Sequence, residues 1–238
     1  MPETKTVKLT VVTANIGRKH ASAANVKENI HKIRTSCPDA LIGFQEIDEF
    51  DVSQEFKIVG ARLGPEGYAF AGPGQLCPIA VPPTWKIKAH SISEACKGKA
   101  GHTPRRVIVT ARCRPVNSPD FPPVIFMNGH FPFRTPDRWA DCQRNWRRHV
   151  KKVHNKGVTI ITTRDVNFHE EDLGPLPKLH DDERQVFDDG IDRITIIEAK
   201  ASASDLVTVH ARRRPSVNLD IDGHNARVVE LTLTAKVG

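Results

Sequence analysis

The chain has 238 residues, enough to bury a full core as one large domain or two small ones. No linker divides it, so a single domain over residues 1–238 is expected. With 39% hydrophobic and 26% charged residues the composition is globular and excludes a disordered chain, and no apolar run approaches the roughly 20 residues of a membrane span. Thirty-five Lys and Arg against 28 Asp and Glu leave a formal charge of +7, which favours a polyanionic partner such as nucleic acid.

The first residues, MPETKTVKLT, carry charges but no apolar core of signal-peptide length. Cys37, Cys77, Cys96, Cys113 and Cys142 are odd in number, scattered, and form no CxxC pair. Neither a disulfide framework nor a zinc ribbon is suggested, and reduced thiols in a cytoplasm are expected. A cytoplasmic monomer without a membrane partner is the corresponding expectation.

In chain order, short apolar or alternating stretches bounded by Gly, Pro or Asn predict strands at 7–16, 40–47, 68–70, 79–81, 85–89, 106–113 and 124–128, and again at 158–163, 191–197, 206–210 and 227–235. Between the first two, residues 21–35 place Val26, Ile30 and Ile33 on one helical face. Residues 135–154 do the same with Trp139, Cys142, Trp146, Val150 and Val153, behind Thr135 as N-cap and Pro136 at the first helical position. The Pro-rich 114–123 reads as a hairpin loop, and 170–189 as a longer loop whose Glu170, Glu171, Asp172, Asp181, Asp182 and Glu183 are solvated. Many strands, few helices and no regular alternation fit two sheets packed face to face with helices outside, rather than a doubly wound parallel sheet.

Polar residues recur where the strands end. Asn15 ends "VVTANIG", Gln45 and Glu46 end "IGFQEID", and Asn128 and His130 close "VIFMNGHFPF". Asp165 and Asn167 follow in "TTRDVNF", Asp192 stands in "GIDRITII", and Asp222 and His224 precede the last strand in "DIDGHNARVVEL". Each has an ordinary alternative: Asn and Asp make turns, a carboxylate can be solvated, a loop histidine can be satisfied locally. The ordered set is the informative feature, because strand ends that open into loops present chemistry on a rigid support.

That order resembles the endonuclease/exonuclease/phosphatase superfamily of metal-dependent phosphodiesterases, from Val11 to Leu231. The resemblance implies a four-layered α/β sandwich, with two mainly antiparallel β-sheets face to face. It also implies Glu46 as principal ligand of a divalent cation, magnesium or manganese, with Asn15 close by; oxygen donors suit such an ion. Asp165 and Asn167 match the motif whose Asp orients or deprotonates the attacking water and whose Asn holds the scissile phosphate. His224 matches the terminal histidine, Asp192 the carboxylate that orients it, and His130 the histidine that stabilises the transition state or protonates the leaving oxygen. A site of this kind must neutralise an anionic ester, align a water and protect the departing oxygen.

The sequence departs from the pattern twice. Arg164 stands where Gly usually precedes the motif Asp, which changes backbone freedom. At the end, Asp222-Gly223-His224 places the metal-binding carboxylate one residue early, and on a strand one residue reverses the face. A bulge at Gly223 restores Asp222 as a metal ligand, and Asp220 is the other candidate. The expected activity is hydrolysis of phosphodiesters in DNA, with Arg105, Arg144, Arg147, Arg148 and Lys151 as backbone contacts. The alternatives are a phosphatase or phosphodiesterase acting on a small or lipid ester, and a catalytically weakened nucleic-acid binder.

Overall fold

The computed structural model describes residues 3–17, 23–47, 54–98, 104–133, 136–167, 178–187, 191–199, 206–221 and 224–237. β1 (Glu3–Asn15) leads through α1 (Ala23–Ser36) into β2 (Leu41–Gln45), and α2 (Gln54–Leu63) precedes β3 (Ala69–Ala71) and β4 (Ile79–Val81). β5 (Trp85–Cys96), β6 (Arg106–Pro115) and β7 (Val124–His130) follow, then α3 (Pro136–His154) and β8 (Ile160–Asp165). The chain closes with β9 (Glu183–Phe187), β10 (Asp192–Ile197), β11 (Val207–Ile221) and β12 (His224–Val237).

Among the described residues the strands form two six-stranded sheets, ordered β11-β12-β1-β2-β4-β3 and β5-β6-β7-β8-β10-β9. Each contains one parallel pair, β1 with β2 and β7 with β8, among antiparallel neighbours. A parallel partner cannot be reached by a tight hairpin. α1 and α3 supply the two crossovers, so the middle of each sheet is a strand-helix-strand unit.

The pleat then sorts side chains into layers. Val11, Leu41, Phe126 and Ile161 point between the sheets into the central core, whereas Val12, Ile42 and Phe44 meet Val26, Ile30 and Ile33 of α1 outside. On the other side Trp139, Cys142, Trp146 and Val150 of α3 cover Ile108, Ile125, Met127 and Ile160. The result is helix, sheet, sheet, helix: the four-layered sandwich expected.

Several boundaries differ from expectation. The strand expected at 85–89 runs to Cys96 and that at 206–210 runs to Ile221. Both are edge strands, so polar residues meet solvent on one side and the apolar alternation fades before the pairing does. Pro215 in β11 falls within a register shift between Arg214 and Val217, where a missing N–H is tolerated. α2 was not anticipated; Gly60 interrupts a short pattern in which Val59 and Leu63 are nonetheless buried. The stretch 170–189 is not simply a solvated loop: it contains β9, and Glu183 is 3% exposed. Asp181 and Asp182 are exposed as expected, while Glu170, Glu171 and Asp172 lie outside the described residues, as does Thr135.

Arg164 explains the buried Glu183. It points to the outer face of its sheet, is 1% exposed, donates to Glu183 Oε1 at 2.7 Å and lies over the Trp146 ring. Burial lowers its pKa while Glu183 opposes the shift. Its backbone is not left-handed, so the freedom that glycine would give is unused here, and the Asp that follows keeps its place on the inner face.

Candidate functional site

Register places the site. Along β1, β2, β7 and β8 the paired inner-facing residues are first Val11, Leu41, Phe126 and Ile161, then Thr13, Gly43, Asn128 and Thr163, then Asn15, Gln45, His130 and Asp165. Moving toward the carboxyl ends of the four central strands, an apolar layer therefore gives way to a polar one and then to the site.

The middle layer ties the two sheets together. Asn128 donates to Phe44 O at 2.6 Å and accepts from Gln45 Nε2 at 2.6 Å and Thr163 Oγ1 at 3.0 Å. Gln45 also bonds Thr13. Gly43 leaves the room required, since a Cβ there would lie 2.0 Å from Thr163 Oγ1. With its polar groups satisfied, such a network fixes one relative placement of the sheets. Gln45 and Asn128 thus support the site from beneath.

Glu46 follows Gln45 and on a regular strand would face the opposite side. Its φ of 58° is left-handed, unusual outside glycine, and this turn brings Oε1 to 3.7 Å from His130 Nε2. Gly17 permits it: a Cβ on Gly17 would sit 1.7 Å from Glu46 O. Asn167, with φ of 45°, is the second left-handed residue at the site. Strain of this sort persists where surrounding structure imposes it.

Asp165 is the hub. Its Oδ2 accepts from Asn15 Nδ2 at 2.9 Å and its Oδ1 from Asn167 N at 3.0 Å. His130 Nε2 is 3.6 Å from Oδ2, and Asp192 is its direct antiparallel partner on β10. Complete burial, then the neighbouring Asp192 charge, push Asp165 up to about 7, against the pull of His224 and Asn15. Asp192 in turn lies 3.4 Å from His224 Nδ1, so the last histidine is backed by a carboxylate as the resemblance implies.

His130 is fully buried, and burial, reinforced by the Arg106 and His224 charges, holds it well below the usual histidine range. Arg106 NH1 is 3.2 Å from His130 Nδ1. The Arg106 guanidinium can only donate to Nδ1, and the Asn167 amide nitrogen, which also donates to Phe131 O, can only donate to the other ring nitrogen, Nε2. That nitrogen faces Glu46, Asp165 and the Asn167 amide, the last at 2.5 Å. Nothing in the sequence around Arg106 marks it as the partner of His130.

Glu46, His130 and Asp165 form one group of ligand atoms within 4.8 Å of one another, and Asp165, Asp192 and His224 form another. The carboxylate oxygens of Glu46, Asp165 and Asp192 suit a hard divalent cation. Asn15 Oδ1 and Asp192 Oδ1 are buried oxygens without a hydrogen-bond partner, the condition that a cation relieves. Asp222 lies outside the described residues, and Asp220 is described only along its backbone.

The five basic residues do not share one location. Arg105 is exposed, precedes Arg106 in the chain and donates to Gln75 at 3.3 Å. Arg144, Arg147, Arg148 and Lys151 are exposed on α3, which lies outside its sheet and begins near the site. From the start of the helix they are about 12 to 22 Å along its axis, and Arg144 and Arg148 are held by Asp141 and Asn145. The structure does not bring these four to the polar strand ends.

No family model and no curated protein matches the sequence. Among solved structures, an endonuclease/exonuclease/phosphatase protein from Bacteroides vulgatus superposes with a TM-score of 0.65 at 13% identity, over 94% of this chain and 98% of that one. TDP2 from D. rerio, complexed with single-strand DNA product, gives 0.61 at 14% identity over 95% and 98%. A mannosyl-6-phosphatase from Bacteroides thetaiotaomicron gives 0.61 at 12% identity over 94% and 99%. Over nearly its whole length, this chain has the fold of the endonuclease/exonuclease/phosphatase proteins.

Proposed function

We propose that the protein is a metal-dependent phosphoester hydrolase that cleaves phosphodiesters in DNA with magnesium or manganese. The observation that carries this reading is the convergence of Asn15, Glu46, His130, Asp165, Asn167, Asp192 and His224 at one end of the sandwich, with unpartnered buried oxygens on Asn15 and Asp192. Glu46, with Asn15 and Asp192, would hold the cation. When bound, it offsets the charge of the phosphate and favours attack at phosphorus.

The chain's own groups divide the remaining work. Asp165, held in place by Asn15 and the Asn167 N–H, orients a water and takes its proton. His130, whose Nε2 faces Glu46, Asp165 and Asn167, stands where it would contact a phosphate or departing oxygen. Arg106, 3.2 Å from Nδ1, fixes the orientation of the ring. Asn167 holds a phosphate oxygen, and His224, oriented by Asp192, supports the opposite side of the ester. Phe133, 51% exposed and three residues beyond His130, offers an aromatic face on which a base can stack. Five buried cysteines, none in a disulfide, support a reducing compartment.

One observation favours the second reading, a small phosphate ester: four of the five basic residues assigned to DNA lie on the outer helix. Cleavage of supercoiled plasmid, linear DNA, RNA and a sugar phosphate should be compared with magnesium and with excess chelator. DNA cleavage that chelator abolishes, with binding that weakens by about 0.9 log units per log unit of salt for each phosphate contacted, supports the nuclease. Salt-insensitive turnover of the sugar phosphate alone replaces it with the second reading, and cleavage undiminished in chelator rejects both. Reversing Arg147, Arg148 and Lys151 to Glu tests whether the helix adds contacts to a long duplex.

A further inference from the structure

α3 carries a second cluster at its far end. Trp139, near the start of the helix, donates its indole N–H to Val166 O at 2.8 Å, beside Asp165, whereas His154 is the last helical residue. The two are separated by about 22 Å along the axis. At the far end, one ring nitrogen each from His154 and His180 and a carboxylate oxygen of Asp182 lie within 4.8 Å of one another.

His154 is completely buried, and its Nε2 is 2.7 Å from Glu198 O. A carbonyl accepts only from an N–H, so the proton sits on Nε2 and the lone pair on Nδ1. That Nδ1 is buried with no hydrogen-bond partner. A buried, unsatisfied acceptor is costly and rare, and an imidazole whose other N–H is held by a backbone carbonyl is the arrangement of a metal-ligating histidine. His180 Nδ1 lies 3.4 Å from Asp182 Oδ2. Two ligands each about 2.0 to 2.1 Å from a tetrahedral metal stand about 3.4 Å apart, while a charge-assisted hydrogen bond would be nearer about 2.8 Å. The Asp182 N–H, 3.2 Å from the same nitrogen, is the contact that a metal displaces.

We propose that His154, His180 and Asp182 form a zinc-class metal site, separate from the catalytic cluster, that pins the end of α3 to the turn entering β9. Two imidazoles and one carboxylate suit a borderline transition metal, whereas magnesium prefers oxygen ligands throughout. Asp182 is 57% exposed, which gives the ion a path from solvent and leaves the fourth position to water. The next residue is Glu183, the buried partner of Arg164, so a metal here also fixes the segment that neutralises that arginine.

Zinc titrated into the protein in excess magnesium, followed by equilibrium dialysis and thermal unfolding, tests the site. Wild type should retain one more zinc per chain than His180→Ala and unfold at a higher temperature only when zinc is present. Asp182→Asn, altering an exposed residue, should weaken retention about tenfold or more. Cobalt(II) in place of zinc should give wild type the visible absorption of a four-coordinate site, absent in His180→Ala, while magnesium-dependent hydrolysis is the same in all three proteins. Equal zinc uptake by wild type and His180→Ala, or none by either, overturns the site, whatever the substrate of the catalytic cluster proves to be.

Discussion

Replacing Asp165 by Asn should make the metal-free protein more stable while removing its activity. The folded-state pKa of Asp165 is about 7 against an ordinary value of 3.8, from burial first and Asp192 second. The stability this group contributes is therefore full below pH 3.8 and lost as pH rises through about 7. Above pH 7, holding the buried carboxylate ionised costs of the order of 4 kcal/mol. Asn at this position keeps an acceptor for Asn167 N but turns an amide N–H toward Asn15 Nδ2. Rotating the Asn15 amide brings its unpartnered Oδ1 to that N–H, and an imperfect fit costs about 1 kcal/mol. The variant should thus gain about 2 to 4 kcal/mol at pH 8, and the gain should shrink by about 2 to 3 kcal/mol at pH 5. Urea unfolding in chelator at the two pH values measures it. Magnesium should then stabilise wild type and not the variant, whose hydrolysis falls at least about a hundredfold. A variant less stable than wild type in chelator at pH 8, or a gain equal at both pH values, would refute this account of Asp165.

Gly17→Ala drives a methyl group into the Glu46 backbone carbonyl; a displacement passed on to the side-chain carboxylate of about 1 Å should cost about a hundredfold in rate and raise the magnesium requirement, and an unchanged magnesium titration counts against Glu46 as ligand. Asp192→Ala and His224→Ala should each lower the rate by at least about a hundredfold, and together scarcely more than either alone; fully additive losses would show that the 3.4 Å pair does not act as one unit. Glu183→Gln strands Arg164 without its counter-charge in a buried site, so unfolding measurements should show a loss of about 3 to 5 kcal/mol with the folded enzyme still active; a loss below about 1 kcal/mol would mean that the arginine finds another partner.

The sequence alone determined the layers and the roll of polar strand ends. Both are local signals: β-branched apolar runs make strands, the 26–30–33 and 139–142–146–150 spacings make one-sided helices, and Asn, Asp, Glu or His at a strand end stands out against the apolar residues before it. The long edge strands were only half legible, because an edge exposes polar residues and Pro215 looks like a terminator. What only the tertiary structure decided is which ends meet. Two parallel pairs, each closed by an outer helix, bring Asn15, Gln45, His130 and Asp165 to one level, and no local pattern encodes that register. Nor does it announce the left-handed turn that swings Glu46 inward, the Arg106 contact with His130, or the burial of Arg164 against Glu183. The basic residues of α3 show the converse limit: charge is read from sequence, but its distance from the site depends on which side of the sheet the helix covers. That side is set by packing Trp139, Cys142, Trp146 and Val150 against the sheet, which leaves the charged face of the helix turned to solvent.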